Sequence, residues 1–415
     1  MTDELGSTLH ALLDTRLAQR PPVGDLREVV RRGTTRRRHG RVTATVVCLV
    51  LGAGAVGASQ LDPGLQPRKG ESRLTPASGV EEVGRMTVPR AAHAAALLDD
   101  GKVLITGGFS GDTEIYYDTA ELFDPATLTF LPTTSMTSPR TGHASVVLHD
   151  GTVLIAGGWG NGFLAGAELY DPVTGLFTST GSMTTSRDAF TATRLHDGRV
   201  LMVGGFRDSY ESFNRSAEIY DPEAGTFTET GGLRRARASH TATLLPDGRV
   251  VIAGGLGPAG VLRSVEVYDP ESGRFVEGGL LTAGRQKHGA ALLDSGKVLV
   301  VGGSDVRDFE GRSRNAEIYD PSTGGSQRVE RMSTVRFKLP SPVNLPGSRR
   351  VLVAGGADTT ELYRERSRSF AVVDGELAGA QSFPTATLLA DGSVLIAGGY
   401  DERITATDGA WLFAP

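Results

Sequence analysis

A Gly-Gly pair closes a short β-rich run seven times in this chain: Gly107-Gly108, Gly157-Gly158, Gly204-Gly205, Gly254-Gly255, Gly302-Gly303, Gly355-Gly356 and Gly398-Gly399. The steps between pairs are 50, 47, 50, 48, 53 and 43 residues. Self-similarity at a period of this size marks a repeat architecture. Each pair ends a segment such as HTATLLPDGRVVIAGG (240–255), which predicts strand, tight turn, strand. The turn is Asp-Gly at 100, 150, 197, 247 and 391 and Ser-Gly at 295. Asp-Gly suits such hairpins because both central residues tolerate positive φ.

After a variable stretch comes a third strand: AELFDP (120–125), AELYDP (167–172), AEIYDP (217–222), VEVYDP (265–270) and AEIYDP (316–321), with degenerate copies TELYRE (360–365) and AWLFAP (410–415). A fourth strand follows and carries Phe130, Phe177, Phe227, Phe275 or Phe370. Four short antiparallel strands in roughly 48 residues make one blade, and a blade cannot bury both faces alone. The expected fold is therefore all-β: a seven-bladed propeller of four-stranded blades over residues 79–415. The seventh unit stops at Pro415 after its third strand, while GVEEVGRM (79–86) has fourth-strand character before an Arg. Residues 79–86 are expected to complete the last blade, which would leave it no open edge.

The glycine pairs and the third- and fourth-strand aromatics resemble the kelch-repeat family, in a bacterial form similar to the propeller of galactose oxidase. The resemblance implies the propeller fold. It does not fix the function, since kelch propellers mostly bind partners and a minority catalyse. A galactose oxidase site, as the resemblance would imply it, takes two His and two Tyr, one of the Tyr joined to Cys. The single cysteine here is Cys48, far from the repeats, so that chemistry is excluded in that form. No G-x-S-x-G, H-E-x-x-H, calcium loop or phosphate-binding glycine loop occurs. The expectation is no catalytic residue, no metal and no cofactor.

Two charged columns recur. An Arg follows a Met or Leu by four residues in six blades (Arg90, Arg140, Arg187, Arg237, Arg285, Arg336), and a Glu stands in the same six third strands (Glu121, Glu168, Glu218, Glu266, Glu317, Glu361). Blade seven has Gln381 and Trp411 instead. Joint loss predicts an ion pair within each blade, because one partner alone would leave a costly semi-buried charge. An anion-binding ring of Arg is the alternative. His93, His143, His240 and His288 share one place in four blades. Spread around a ring, they are expected to bond neighbouring backbone and not to meet at a metal.

The first 78 residues differ in kind. Residues 1–41 hold nine Arg and five acids, a charge of +4 within a chain of −5. Leucines at helical spacing predict a short helical cytoplasmic stub. Residues 42–61 carry no charge, and twenty residues of helix span about 30 Å, the thickness of a hydrocarbon core. The Arg cluster on the N-terminal side predicts one transmembrane helix with its N-terminus cytoplasmic and the propeller extracytoplasmic, at the plasma membrane. The alternative is a cleaved signal at Val56-Gly57-Ala58, which would make the protein secreted. Residues 62–78 are expected to form a flexible stalk. An acidic body argues against nucleic acid as a partner.

The leading expectation is a membrane-anchored exported propeller that binds a protein or a carbohydrate. The alternative is a cell-surface hydrolase or oxidase with an unrecognised loop-borne site. A third reading is an architectural protein. Loops between strands two and three should emerge at the same end as the blade-to-blade connections and carry the individuality: 159–166, 206–216, 304–315 and 400–408. The candidate ligand-binding residues are Trp159, Phe163, Phe206, Arg207, Tyr210, Phe213, Asp305, Arg307, Phe309 and Tyr400. Aromatics and Arg on a rigid scaffold's loops are the usual binding hot spots.

Overall fold

A computed structural model describes residues 79–111, 115–306, 311–378 and 382–415. The stub, span and stalk expected over residues 1–78 lie outside the described residues. Among the described residues no helix is long and apolar enough to cross a membrane.

The described chain forms seven four-stranded antiparallel sheets. Blade one is representative, with strands Ala94–Leu97, Val103–Thr106, Ala120–Asp124 and Thr129–Pro132. Blades two to six repeat it, starting at Ala144, Thr191, Thr241, Gly289 and Val343. Blade seven joins both ends of the domain. Gly409–Ala414 pairs with Val394–Ala397 on one side and with Gly79–Arg85 on the other. The expected closure is therefore observed, and blade seven has its full four strands.

The second strand of each blade reads VLIT, VLIA, VLMV or similar, and β-branched residues there suit a strand covered on both faces. In blades one to five and seven all four of its residues are buried. Among the described residues the apolar core falls into eight clusters, seven of them one at each interface between adjacent blades and the eighth at the loop end of blades two to four. Between blades three and four, for example, Leu201, Val203 and Ile219 meet Val250, Ile252 and Tyr268. The third-strand aromatic packs on its cross-strand partner, as in Tyr220 with Phe227 at 4.8 Å between ring centroids.

The charged columns form the expected pairs. Arg90–Glu121, Arg140–Glu168, Arg187–Glu218, Arg237–Glu266, Arg285–Glu317 and Arg336–Glu361 lie at 2.9, 2.7, 2.7, 2.5, 2.6 and 3.1 Å, nearly or wholly out of solvent. Each Arg also donates to the carbonyl of its own blade's first glycine, as Arg237 does to Gly254 at 2.8 Å. The second carboxylate oxygen accepts a backbone amide, as Glu266 does from Arg234 at 2.7 Å. In blade seven Trp411 fills the glutamate's place and is buried; Gln381 lies outside the described residues.

Removing one partner of such a pair strands a buried charge and costs about 3–5 kcal/mol, whereas removing both strands none. We expect Arg237→Ala and Glu266→Ala each to destabilise by that amount. The double variant should lose little more than either alone. Urea denaturation of the four proteins checks this, and strictly additive losses would contradict the pairing.

Candidate functional site at the mouth of the axis

The loops of one axial end are built by the same element in six of the seven blades, all but blade six. The residue after the Gly-Gly pair makes a β-bridge back to the residue after the blade's Arg, or after Gln381 in blade seven: Phe109 to Ala91, Trp159 to Thr141, Phe206 to Asp188, Leu256 to Ala238, Ser304 to Gln286 and Tyr400 to Ser382. The variable loops and the blade-to-blade connections therefore share one end, as the meander predicts.

One residue further along, the backbone turns at positive φ in all seven blades: Ala92, Gly142, Ala189, Ser239, Lys287, Lys338 and Phe383. These residues join amide to carbonyl around the axis. Ala92 donates to Phe383, Gly142 to Ala92, Ser239 to Ala189, Lys287 to Ser239, Lys338 to Lys287 and Phe383 to Lys338, at 2.7–3.1 Å. Between blades two and three the Ala189 amide instead faces the Asp188 carboxylate. Hydrogen-bonded backbones lie about 4.8 Å apart, so a ring of seven has a radius of roughly 5–6 Å. It frames a narrow mouth.

The side chains break the sevenfold symmetry. Blades one to four place Ala, Gly, Ala and Ser on the ring, whereas blades five to seven place Lys287, Lys338 and Phe383. The Lys338 ammonium lies 5.5, 5.3 and 5.2 Å from the ring centroids of Phe337, Phe383 and Tyr400, and its Nζ donates to the Tyr400 hydroxyl at 2.5 Å. Lys287 stands over the same Phe337 and Phe383 rings at 5.6 and 5.8 Å. Burial, reinforced by the neighbouring Lys287 charge, brings the Lys338 amine down to about 6. Burial also raises the Tyr400 phenol, which keeps its proton.

Across the mouth stands Asp188. A Cβ on Gly142 would lie 2.3 Å from its Oδ1, so blade two needs glycine there for space as well as for its φ of 61°. Burial pushes the Asp188 carboxyl up to about 7, against the opposing pull of the Ala189 amide, the Tyr210 hydroxyl and Lys287. Tyr210 is itself raised by burial and by the Asp188 charge, with Tyr116 adding to the rise.

The candidate aromatics divide into two groups. Trp159, Phe163, Phe206, Tyr210 and Phe213 come together over blades two and three, with centroids 4.9–6.0 Å apart and mostly edge-on or tilted. Phe163, Phe206, Tyr210 and Phe213 also pack with Ala238 and Leu256 of blade four. Tyr400 is buried in the second group, 5.9 Å from Phe109, which in turn lies 6.5 Å from Tyr116. Blade one thus links blade seven to the Tyr210 side through residues absent from the sequence-based set.

Arg207 is exposed and occupied locally by Asp208 and Ser212. Asp305 is exposed on blade five, and the structure does not bring it into either aromatic group. Arg307 and Phe309 lie outside the described residues. Sequence reasoning missed Asp188, Lys287, Lys338, Phe109 and Tyr116. No local sequence pattern sets them apart: aligned on the Arg column, Asp188 shares its place with Thr141, Gln286 and Ser382, and the two lysines share theirs with Ala, Gly, Ser and Phe.

The four aligned histidines are buried and neutral, with burial lowering His143 and His240 to about 3. Their partners correct one expectation. Nε2 of His93, His143, His240 and His288 meets the hydroxyl of Thr385, Thr106, Thr191 and Thr241 at 3.0, 2.8, 3.0 and 3.1 Å. The threonine belongs to the preceding blade each time. Strand backbone there is already committed to the ladder, so the side-chain hydroxyl is the group left to bond. Among the described residues no three His, Cys, Asp or Glu gather as metal ligands. Cys48 lies outside the described residues, and the described donor set does not fit the copper centre that a galactose-oxidase-like fold would imply.

Comparisons agree with this architecture. The kelch motif model matches residues 140–184, which run from the Arg of blade two to the start of blade three. A solved fungal alcohol oxidase of the AA5 family, in complex with copper, is similar at a TM-score of 0.65 and 18% identity, over 82% of this chain and 77% of that one. No curated protein sequence matches. The described domain is an all-β repeat propeller. It carries the kelch motif, and its fold is galactose-oxidase-like.

The buried acid and amine at the mouth give opposite pH signatures. Folded Lys338 releases its proton near 6, while an unfolded lysine holds it to about 10.4. The unfolded chain binds more protons in that window, so the lysine's cost is full below it and fades as pH rises. Asp188 titrates near 7 folded against about 3.9 unfolded, so its cost is absent at low pH and full above 7. Lys338→Met should therefore raise the Tm more at pH 5.5 than at pH 9, and Asp188→Asn more at pH 8 than at pH 5. Thermal melts across pH check both, and parallel slopes would refute the assignment.

Proposed function

We propose that the propeller is a ligand-binding module whose site is the aromatic arc at the mouth, and that carbohydrate is the class of ligand it suits best. The carrying observation is the Trp159–Phe163–Tyr210 group beside the Asp188 carboxyl. Trp159, Phe163 and Tyr210 are only half-buried, so apolar ring faces stand next to fixed hydrogen-bonding groups in a concave mouth. Sites for small ligands commonly have that make-up. Sugar rings offer an apolar C–H face and a rim of hydroxyls, which matches it. A projecting protein loop would use the same anchors, and a folded surface would not enter a mouth of this width.

The enzyme alternative draws support from the likeness to an alcohol oxidase, and that likeness is one of fold. The histidines are committed to threonine hydroxyls, so copper oxidase chemistry has no support from this chain's own residues.

Residues 79–415 close on themselves through the Gly79–Arg85 strand and can be tested as a unit. On a glycan array, Trp159→Ala with Tyr210→Ala should reduce signal at least tenfold while the melting temperature stays within a few degrees. Retained signal in the double variant would move the site elsewhere, and loss of signal in variants of the Asp-Pro turns would place it at the opposite end.

We further propose that residues 42–61 anchor the protein, with 1–41 cytoplasmic and the propeller outside. The support is the Arg-rich flank of an uncharged twenty-residue stretch. Protease added to intact cells should remove the propeller and spare a tag at residue 1. Protection of the propeller until lysis would overturn the orientation, and a mature N-terminus near Ser59 would replace the anchor by a cleaved signal.

A further inference from the structure

Blade six departs from the others at the end opposite the mouth. Its third strand ends in Arg364, where blades one to five end in the Asp of an Asp-Pro turn, and the turn continues through Glu365, Arg366 and Arg368. Its hairpin turn adds Arg349 and Arg350. The two turns touch: Arg350 stands opposite Arg364 across the ladder, and the Glu365 amide donates to the Arg349 carbonyl at 3.0 Å. Arg349, Arg364, Arg366 and Arg368 are exposed, and Arg350 and Glu365 are half-buried. Among the described residues none of the five arginines forms an ion pair. Arg368 donates to the Gln327 amide oxygen at 3.0 Å. The acids of blade five at this end are engaged elsewhere, Asp320 by Lys297 at 2.8 Å and Asp294 by Asn344 at 3.2 Å.

The fold does not call for these arginines. Asp171 accepts the Val173 amide at 2.8 Å and so supports its turn, whereas an arginine in that place offers no acceptor. Arg349 and Arg368 take φ of 54° and 55°, and glycine holds the place of Arg368 in blades two to five. Like charges directly opposite across a ladder repel. A surface assembled against these preferences points to an anion outside the domain. Residues 62–78 do not supply it, since they hold Arg68, Lys69 and Arg73 against Asp62 and Glu71.

We propose that the arginine turns of blade six dock on the anionic lipid headgroups of the membrane, which leaves the mouth facing outward. The proposal rests on the reading of residues 42–61 as an anchor. The chain from that stretch enters the domain beside the arginines. Gly79 pairs with Ala414 as the residues closing an Asp-Pro turn pair in other blades, for example Asp320 with Gly325. The Val80 amide donates to the Asp374 carbonyl at 2.8 Å, just past the fourth strand of blade six. One five-residue strand, about 17 Å, therefore separates Arg368 from the entry point. A tethered domain meets the surface at high effective concentration, so a patch too weak to bind alone is enough. Basic side chains near an anionic bilayer are attracted over a Debye length, about 8 Å at physiological salt. The Asp-Gly and Asp-Pro turns of the other blades are repelled by the same surface, which selects blade six for the approach. Arg349 and Arg350 lie at the start of the strand Arg350–Val353, and the far end of that strand leads to Gly355-Gly356 and the mouth.

The test uses the full chain reconstituted in vesicles of phosphatidylcholine alone and of phosphatidylcholine mixed equally with phosphatidylglycerol. Flotation in high salt reports the anchor. Failure there overturns the anchor alone, because the arginine surface is then read on protein added to preformed vesicles in low salt. Phenylglyoxal modification followed by peptide mass spectrometry gives the rate at each arginine in one sample, with Arg215 and Arg263, exposed at the loop end, as internal references. On the mixed vesicles Arg349, Arg364, Arg366 and Arg368 should label at least about fivefold more slowly than on phosphatidylcholine, at unchanged reference rates. High salt should remove the difference, as screening requires. Arg366→Ser with Arg368→Gly, which restores the glycine of the other blades, should weaken the protection of Arg349 and Arg364. The wild-type comparison between vesicles stands whether or not that variant folds. Equal labelling on the two vesicles would overturn the proposal. So would protection by soluble polyphosphate with none from the mixed vesicles, which would mark a site for a free polyanion.

Discussion

The contact between each blade's glycine pair and the next blade's arginine governs the architecture. Nη1 of each blade arginine binds its own first glycine's carbonyl, and the same arginine's backbone carbonyl accepts the second glycine's amide from the preceding blade: Gly108 to Arg140, Gly158 to Arg187, Gly205 to Arg237, Gly255 to Arg285, Gly303 to Arg336 and Gly399 to Arg90, all at 2.7–2.9 Å. That approach leaves no room for side chains. A Cβ on Gly254 would lie 2.5 Å from the Arg285 carbonyl and 2.8 Å from His288 Cε1. One on Gly255 would lie 2.8 Å from the Ala238 carbonyl, and both glycines have positive φ. The Gly-Gly column therefore marks the spot where two blades touch backbone to backbone.

The buried charge follows from the same contact. Carbonyls turned toward a blade interface need donors, and the guanidinium supplies several in a rigid fork. Its charge then needs a carboxylate, which the third strand provides, and the carboxylate's second oxygen satisfies a backbone amide at the start of the blade. In each node the terminal guanidinium nitrogens and the carboxylate meet one another and nearby backbone, which helps to make a buried ion pair tolerable, while Nε of Arg90, Arg140, Arg187 and Arg285 is left without a hydrogen-bond partner. Blade seven dispenses with the glutamate by filling its place with Trp411, and it is also the blade assembled from both ends of the domain.

The scaffold was legible in the sequence because the node recurs. Seven glycine pairs, six Arg and six Glu in phase leave little freedom in strand order, and the terminal strand was visible as the one unit short of a fourth strand. The aromatic half of the mouth was legible for the opposite reason. Trp159, Phe163, Phe206, Tyr210 and Phe213 are bulky residues in stretches that otherwise vary, and the loops do bring them together. Asp188, Lys287 and Lys338 were not legible in that way. They lie in the short connections after the Arg column, where every blade has the same backbone, and no local pattern separates Lys338 in RFKLP from a solvated lysine. Only the ring geometry shows that these positions point toward one another. The threonine partners of the histidines were hidden similarly, since each bond crosses between blades.

The ring also explains how such polar residues can be accommodated. Its hydrogen bonds are backbone to backbone and its φ values cluster near +50 to +60° whether the residue is Ala, Gly, Ser, Lys or Phe. A left-handed turn costs roughly 1–2 kcal/mol for a residue with a Cβ, and that cost is much the same for each non-glycine occupant. The side chain there is consequently free of the packing that fixes the second strands, where four buried residues in a row face both neighbouring blades. Substitution on the ring changes the charge and shape of the mouth without entering the seven apolar interfaces. Small residues on four consecutive blades and Lys, Lys and Phe on the next three create an opening with one apolar, hydroxyl-bearing side and one amine-bearing side. A sevenfold backbone thus carries a one-sided chemistry, and the asymmetry resides in side chains that the scaffold does not need.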